Sequence, residues 1–302
     1  MNLPPRFANT IRNVYKENGE KFLADLPTLI DEFSQRWTLT NVRPVPNLSY
    51  NFVAFAERSA EHVALKMGPP NNELISEMNT LRVYNGEGAV RLLECDEDKG
   101  VFLLERLVPG RMLAEIEDDD RATEIAADVM RRLWQPAPEN RHEKFILLKN
   151  WFDGFKRIRQ HFEGGTGPLP RELVERAEKI VKDFFAEERP DVLLHGDFHH
   201  YNILESERGW LIIDPKGVIG PAEYEVGPLL LNPLGRVLSG SRPGVRTKRR
   251  IAILSERLRV ERERIRQWAL AHAVLSAWWS LEDHEDWHYA IQCAELCSRI
   301  KV

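Results

Sequence analysis

Leu193-Leu194-His195-Gly196-Asp197-Phe198-His199-His200-Tyr201-Asn202 and, shortly after it, Leu211-Ile212-Ile213-Asp214 decide how this chain reads. An apolar run ends in a tight loop that presents an aspartate and then an asparagine. A second apolar run, opened by Trp210, carries another aspartate to its end. Phosphoryl transfer asks for this set of groups: one carboxylate to orient the attacking hydroxyl, and an amide with a second carboxylate to hold Mg²⁺ on nucleotide phosphates.

Other chemistries compete for the same residues. An Asp and an Asn in a loop commonly bond local backbone as turn residues. His199-His200 raises the possibility of a metal, but adjacent histidines on a loop splay apart and no Cys or His stands nearby at ligand spacing. His195 reads as a brace for the loop rather than a reacting group. Two Asp and one Asn, each ending or following an apolar run, favour phosphoryl transfer. The Asp-x4-Asn spacing matches a kinase catalytic loop in which His-Arg-Asp has become His-Gly-Asp.

Composition bounds the rest. A chain of 302 residues makes one large or two medium domains. Apolar content of 43% beside 29% charged residues is that of a globular protein, and a formal charge of −5 supplies no basic footprint for nucleic acid. Cys95, Cys293 and Cys297 are too few for a disulfide framework, which points to a reducing compartment. Met1-Asn2-Leu3-Pro4-Pro5-Arg6 lacks the apolar stretch of a signal peptide, and no apolar run approaches bilayer length. The expectation is a soluble cytoplasmic protein with a small-molecule partner, no nucleic acid and no membrane.

Working outward, Phe22, Leu23, Leu26, Leu29, Ile30, Phe33 and Trp37 recur at helical spacing, with Pro27 expected to break or start a helix among them. Tyr50–Ala56 and Val63–Met67 flank a polar turn and read as a β-hairpin; Leu74, Ile75, Met78 and Leu81 mark a helix; Val90–Cys95 and Val101–Leu107 make a second hairpin. Pro109-Gly110 closes this part. Beyond it, helical stripes run through Ile125–Leu133, Phe145–Ile158 and Leu173–Phe184, and again over roughly 223–234, 246–259, 261–281 and 285–300. Ser239–Arg250 reads as a surface loop running into a basic helix start. The expected fold is α+β and two-lobed. Residues 1–107 form a small antiparallel-sheet lobe with one main helix and an N-terminal helical extension over 1–40, and 108–302 form a larger, mostly helical lobe.

A kinase-type site also needs a lysine on a central strand of the small lobe. Lys66, inside Val63-Ala64-Leu65-Lys66-Met67, fits the Val-Ala-Ile-Lys pattern. Such a lysine needs a partner. Glu73 and Glu77 follow on the helix, and Glu77 is favoured because it lies deeper in it. The alternative is an edge lysine snorkelling to water. Glu105 and Leu107 are placed where backbone would meet an adenine edge, and the amides near Ser49 and Tyr50 where they would meet phosphate. Pro46–Phe52 holds no glycine, Asp214-Pro215-Lys216-Gly217 stands where protein kinases have Asp-Phe-Gly, and no Ala-Pro-Glu follows. These absences point to a small-molecule kinase rather than a protein kinase.

The chain resembles the aminoglycoside phosphotransferase superfamily, and within it the streptomycin 6-kinase or aminoglycoside/hydroxyurea resistance kinase group. The resemblance is carried by Leu194–Asn202, Ile213–Gly217 and Pro221–Pro233, with Gly86–Leu93, Leu104–Leu107, Leu26-Pro27 and Arg36-Trp37. It implies a two-lobed protein-kinase-like fold binding ATP with Mg²⁺. Asp197 would be the catalytic base, Asn202 and Asp214 the Mg²⁺ ligands, and Lys66 with Glu77 the phosphate-anchoring pair. Lys216 would neutralise phosphate charge or simply be solvated.

Aminoglycosides are polycations, so their pocket is expected to offer carboxylates and aromatic faces. Glu223, Glu225, Asp283 and Trp279 are the substrate-site candidates, although an acidic run between helices is commonly a solvated connection and a Trp commonly core. The expected function is ATP-dependent phosphorylation of a hydroxyl on an aminoglycoside or aminocyclitol such as streptomycin. A kinase of an endogenous hydroxylated metabolite, and a catalytically silent nucleotide-binding pseudokinase, stay open on sequence alone.

Overall fold

The computed structural model describes residues 3–139, 144–240 and 242–302. Met1 and Asn2 of the expected extension, and Ser241 of the Ser239–Arg250 segment, lie outside the described residues. The chain divides into two compact units, Met1–Gly110 and Arg111–Val302.

In the first unit, helix α1 (Pro5–Arg36) precedes strands β1 (Leu39–Pro44), β2 (Phe52–Arg58) and β3 (Glu61–Met67). Helix α2 (Asn72–Tyr84) and strands β4 (Leu92–Asp96) and β5 (Val101–Glu105) complete it. The sheet order is β1-β2-β3-β5-β4, antiparallel throughout, so β3 is central and its residues Val63–Met67 are buried. The two expected hairpins are formed by β2–β3 and β4–β5. Strand β1 was not foreseen, because its exposed residues leave little alternation to detect. Phe7, Ile11, Phe22, Leu26, Ile30 and Phe33 of α1 join Phe52, Val63, Leu65 and Leu103 of the sheet in one core. The expected break at Pro27 is displaced: helix continues through Pro27, and the non-helical residue is Lys16, at φ 51° and ψ −124°. Pro27 removes one intrahelical donor, a loss that the buried Phe22, Leu26 and Ile30 around it offset. Helix α2 starts at Asn71, whose side chain accepts from the Leu74 amide at 3.0 Å, and ends at the left-handed Asn85.

The second unit is largely helical. Its helices are α3 (Asp119–Leu133), α4 (Leu148–Phe152), α5 (Gly154–His161), α6 (Arg171–Phe185), α7 (Val226–Leu230), α8 (Pro243–Leu258), α9 (Arg262–Glu282) and α10 (His288–Arg299). Short strands lie among them. These are β6 (Pro109–Met112), β7 (Gln135–Pro136), β8 (Ile146–Leu147), β9 (Asp191–Leu194), β10 (Ile203–Ser206), β11 (Gly209–Ile212) and β12 (Val218–Pro221). They form two small sheets, β11-β10-β6 and β7-β9-β12-β8. The stripe Phe145–Ile158, read as one helix, is divided into β8, α4 and α5. The helix expected over 223–234 stops at Leu230, just before Asn232-Pro233, because the residue preceding a proline avoids the helical region. The basic start of α8 is matched to the acidic start of α3: Arg250 pairs with Asp119 and Arg249 with Asp120, each through Nε at 2.8 Å. Among the described residues no helix is long and apolar enough to cross a membrane.

Candidate active site

The loop between β9 and β10 is built to hold Asp197 in one place. Gly196 has φ +88°, and a Cβ there would lie 2.5 Å from Val218 Cγ2 and 3.0 Å from Trp151 Cη2, so only glycine fits. His195 is fully buried. Its Nδ1 accepts from the Asp197 amide at 3.2 Å, which leaves the ring proton on Nε2, 2.9 Å from the Ile213 carbonyl. Burial pushes the imidazole down to about 4, so it is a neutral brace. Phe198 is buried below the loop, and the Lys216 amide donates to the His195 carbonyl at 2.7 Å.

Glu225, fully buried, grips the same loop from the opposite side. Its Oε2 accepts from the His195 amide at 3.1 Å and its Oε1 from the Gly196 amide at 2.8 Å. Burial, with the Asp197 charge adding to it, pushes this carboxyl up to about 8 against the pull of the two amides. In this loop the Asp197 side chain is 43% exposed, while His195, Phe198 and His200 are buried. Burial raises the Asp197 pKa, but the bond and charge of His199 (Nε2 at 3.5 Å), with the charge of Lys216, outweigh it and hold the carboxyl below its usual range.

The β10–β11 hairpin brings the other two polar groups together. Ile203 pairs with Ile212, and the Ile213 amide donates to the Asn202 carbonyl at 2.9 Å, so Asn202 and Asp214 emerge at the same end. The Asn202 side-chain nitrogen donates to the Asp197 carbonyl at 3.0 Å, which turns its side-chain oxygen away from that bond. Asp214 adopts φ 58°, in the left-handed region that aspartate enters more readily than most side chains. An amide oxygen and a carboxylate are the hard donors that Mg²⁺ selects, so the residues present fit that ion.

In the first unit Lys66 and Glu77 are 3% and 6% exposed, with both Glu77 oxygens 2.7 Å from Lys66 Nζ. Lys66 lies across from Val53 and Phe102 in the middle of the sheet, so it is not an edge residue. Ser49 is exposed between β1 and β2. Glu105 ends β5, its carboxylate accepting from the Arg91 amide at 2.8 Å, and Leu107 is buried just beyond.

The four substrate-site candidates separate. Glu223 is buried and held by Arg189 (2.8 Å) and Arg264 (3.0 Å), and Glu225 is engaged by loop amides as above. Asp283 is exposed at the end of α9, and Trp279, one turn before it, is half-buried. Trp151, beside Gly196, is a residue that hydrophobic periodicity assigned to a core stripe; nothing in its spacing marked it as a neighbour of the loop.

The profile of the aminoglycoside/hydroxyurea antibiotic resistance kinase family matches residues 36–284. A streptomycin 6-kinase of Streptomyces glaucescens is 30% identical over 93% of this chain and 91% of its own length. A hydroxyurea phosphotransferase of Kitasatospora aureofaciens is 32% identical over 88% of this chain and 76% of its own. Among solved structures, an amicoumacin kinase in complex with AMP-PNP and Ca²⁺ superposes with a TM-score of 0.65 at 12% identity, covering 91% of this chain and 92% of that one, a likeness of fold. This chain belongs to the aminoglycoside/hydroxyurea antibiotic resistance kinase family and is a phosphotransferase with a hydroxyl group as acceptor.

Proposed function

We propose that this protein transfers the γ-phosphate of ATP to a hydroxyl of an aminoglycoside or aminocyclitol, with streptomycin as the first compound to try. The observation that carries this reading is the convergence of Asp197, Asn202 and Asp214 on one end of the β10–β11 hairpin, with the Asp197 carboxylate open and the loop around it fixed. In this reading Asp197 accepts the proton of the attacking hydroxyl and orients it. Asn202 and Asp214 would hold Mg²⁺, which would supply positive charge to the transferring phosphate. Lys66, kept in place by Glu77, anchors phosphate oxygens; backbone near Ser49 does the same. The segment Glu105–Leu107 offers main-chain groups to the adenine. A streptomycin 6-kinase and a hydroxyurea phosphotransferase are similar to this chain at 30% and 32% identity, so both acceptors enter the test.

Incubation with MgATP and streptomycin, followed by ³¹P NMR of the small-molecule fraction, tests the substrate. A new phosphomonoester resonance that needs both compounds is the expected result. A phosphorylated product from hydroxyurea and none from streptomycin would overturn the substrate assignment while keeping the reaction.

A further inference from the structure

The two adjacent histidines of the Asp197 loop part company. His200 is buried close to the Arg250–Asp119 ion pair, and its carbonyl accepts from the Ala114 amide at 3.1 Å. His199 stays partly open and brings Nε2 to 3.5 Å from Oδ2 of Asp197. Among the described residues neither histidine belongs to a cluster of three groups able to hold a metal. His199 is instead one corner of a closed set. The Asn202 backbone amide donates to the His199 carbonyl at 2.9 Å, and the Asn202 side-chain nitrogen donates to the Asp197 carbonyl at 3.0 Å. The imidazole completes the set by meeting the Asp197 carboxylate. Tyr201 packs edge-on against that imidazole, with centroids 5.8 Å apart and planes at 79°.

Main-chain bonds fix where Asp197 stands but not how its carboxylate is turned, because that torsion is broad and two-fold. Among the described residues the carboxylate meets one side-chain donor within 4 Å, Nε2 of His199. The separation is that of a long hydrogen bond, of the kind that tightens when substrate is bound. A carboxylate only accepts, so the nitrogen facing it carries the proton. Nδ1 on the other side of the ring is buried and takes no hydrogen bond among the described residues, which suits a lone pair better than an N–H. We propose that His199 is a positioning residue for the phosphotransfer: its Nε2–H occupies Oδ2 of Asp197 and leaves Oδ1 turned to the acceptor hydroxyl. The proposal rests on the reading of Asp197 as the group that orients that hydroxyl, and it names the side chain that aims it. Alignment of this kind matters because a misplacement of about 1 Å at a reacting group costs on the order of 10²-fold in rate.

Two measurements on the full-length protein test it. Side-chain ¹H–¹⁵N spectra report which ring nitrogen of His199 carries a proton. A proton on Nε2, with a resonance that moves in Asp197→Asn, is expected; a proton on Nδ1 alone, or an Nε2 resonance indifferent to Asp197→Asn, overturns the contact. Streptomycin-stimulated ADP release from MgATP reads the consequence. His199→Phe is expected to lower kcat roughly 10- to 100-fold with the KM for ATP little changed, and His199→Gln, which returns an N–H, to recover most of that loss. In an Asp197→Asn background His199→Phe should cost less than about twofold, because the imidazole acts through that carboxylate. An equal loss in both backgrounds, or a wild-type kcat in His199→Phe, would overturn the positioning role. Should His199→Phe fail to fold, His199→Asn, too short to reach the carboxylate, takes its place in the same comparison. Absence of stimulation in the wild type counts against the substrate reading and not against His199, whose contact the spectra decide.

Discussion

Glu225 holds the amides of His195 and Gly196 with separate oxygens, and both donors are buried. Replacing it by glutamine turns one acceptor into a donor facing an N–H, and an orphaned buried amide costs about 1–3 kcal/mol. Glu225→Gln is therefore expected to lower kcat by roughly 10- to 100-fold through misplacement of Asp197, with the KM for ATP little changed. Steady-state kinetics check this; a wild-type kcat would remove Glu225 from the positioning of the loop. Asp214→Ala is expected to weaken nucleotide binding in the presence of Mg²⁺ and leave metal-free binding unaltered. Nucleotide titrations with and without Mg²⁺ decide it, and an unchanged Mg²⁺ dependence would sink the ligand role. Asp197, Asn202 and Asp214 were legible in the sequence because their chemistry is in side chains at fixed spacing. Glu225 was legible only as an acidic residue, since a carboxylate whose partners are main-chain amides leaves no second side chain in the sequence to point at it. Trp151 was hidden for a related reason: its contact is with a glycine.

Lys66 belongs to β3 and Glu77 to α2, and their ion pair joins the central strand to the helix inside the first unit. The pairing could be read from an apolar strand containing one lysine, followed by a helix with a glutamate deep in its apolar face. Glu77→Gln removes the carboxylate charge 2.7 Å from a buried ammonium and is expected to destabilise the protein by about 3–5 kcal/mol. The double variant Lys66→Met with Glu77→Leu should recover most of that loss while abolishing any phosphate-anchoring role. Denaturant unfolding of the two variants tests this, and equal losses in both would show that the effect is not electrostatic. Hairpins and long helices were visible through their alternation and stripes. Strands β7, β8 and β12 were not, because runs of two to four residues carry no period of their own. The helix break fell at Lys16 rather than at Pro27 because apolar burial on both sides of the proline outweighs one missing hydrogen bond.

Across the whole molecule, buried titratable groups set the pH range of stability. His195 and His272 are pushed by burial from 6.5 to about 4, and His200 to about 3. Below pH 6.5 the unfolded chain binds protons that the folded one refuses, so their stabilisation is present above 6.5 and lost as pH falls towards 4. Glu225 acts in the opposite sense: raised from 4.5 to about 8, it stabilises below 4.5 and loses that contribution as pH rises to about 8. Three histidines against one glutamate place the maximum near pH 6.5, with a steep acid limb. His272→Asn keeps an acceptor for the Tyr224 hydroxyl, 2.9 Å from Nδ1, and should lessen the acid slope by about one proton. Unfolding free energies between pH 4 and 8 test both statements, and an unchanged slope would show that His272 does not titrate on unfolding. The central claim is that Asp197 acts on an acceptor hydroxyl. Acceptor-stimulated ADP release from MgATP, compared between wild type and Asp197→Asn at equal nucleotide occupancy, tests it most directly. The account predicts stimulation by an aminocyclitol in the wild type and a loss of about 10²–10⁴-fold in the variant, with nucleotide affinity retained. Turnover by Asp197→Asn at the wild-type rate would contradict it.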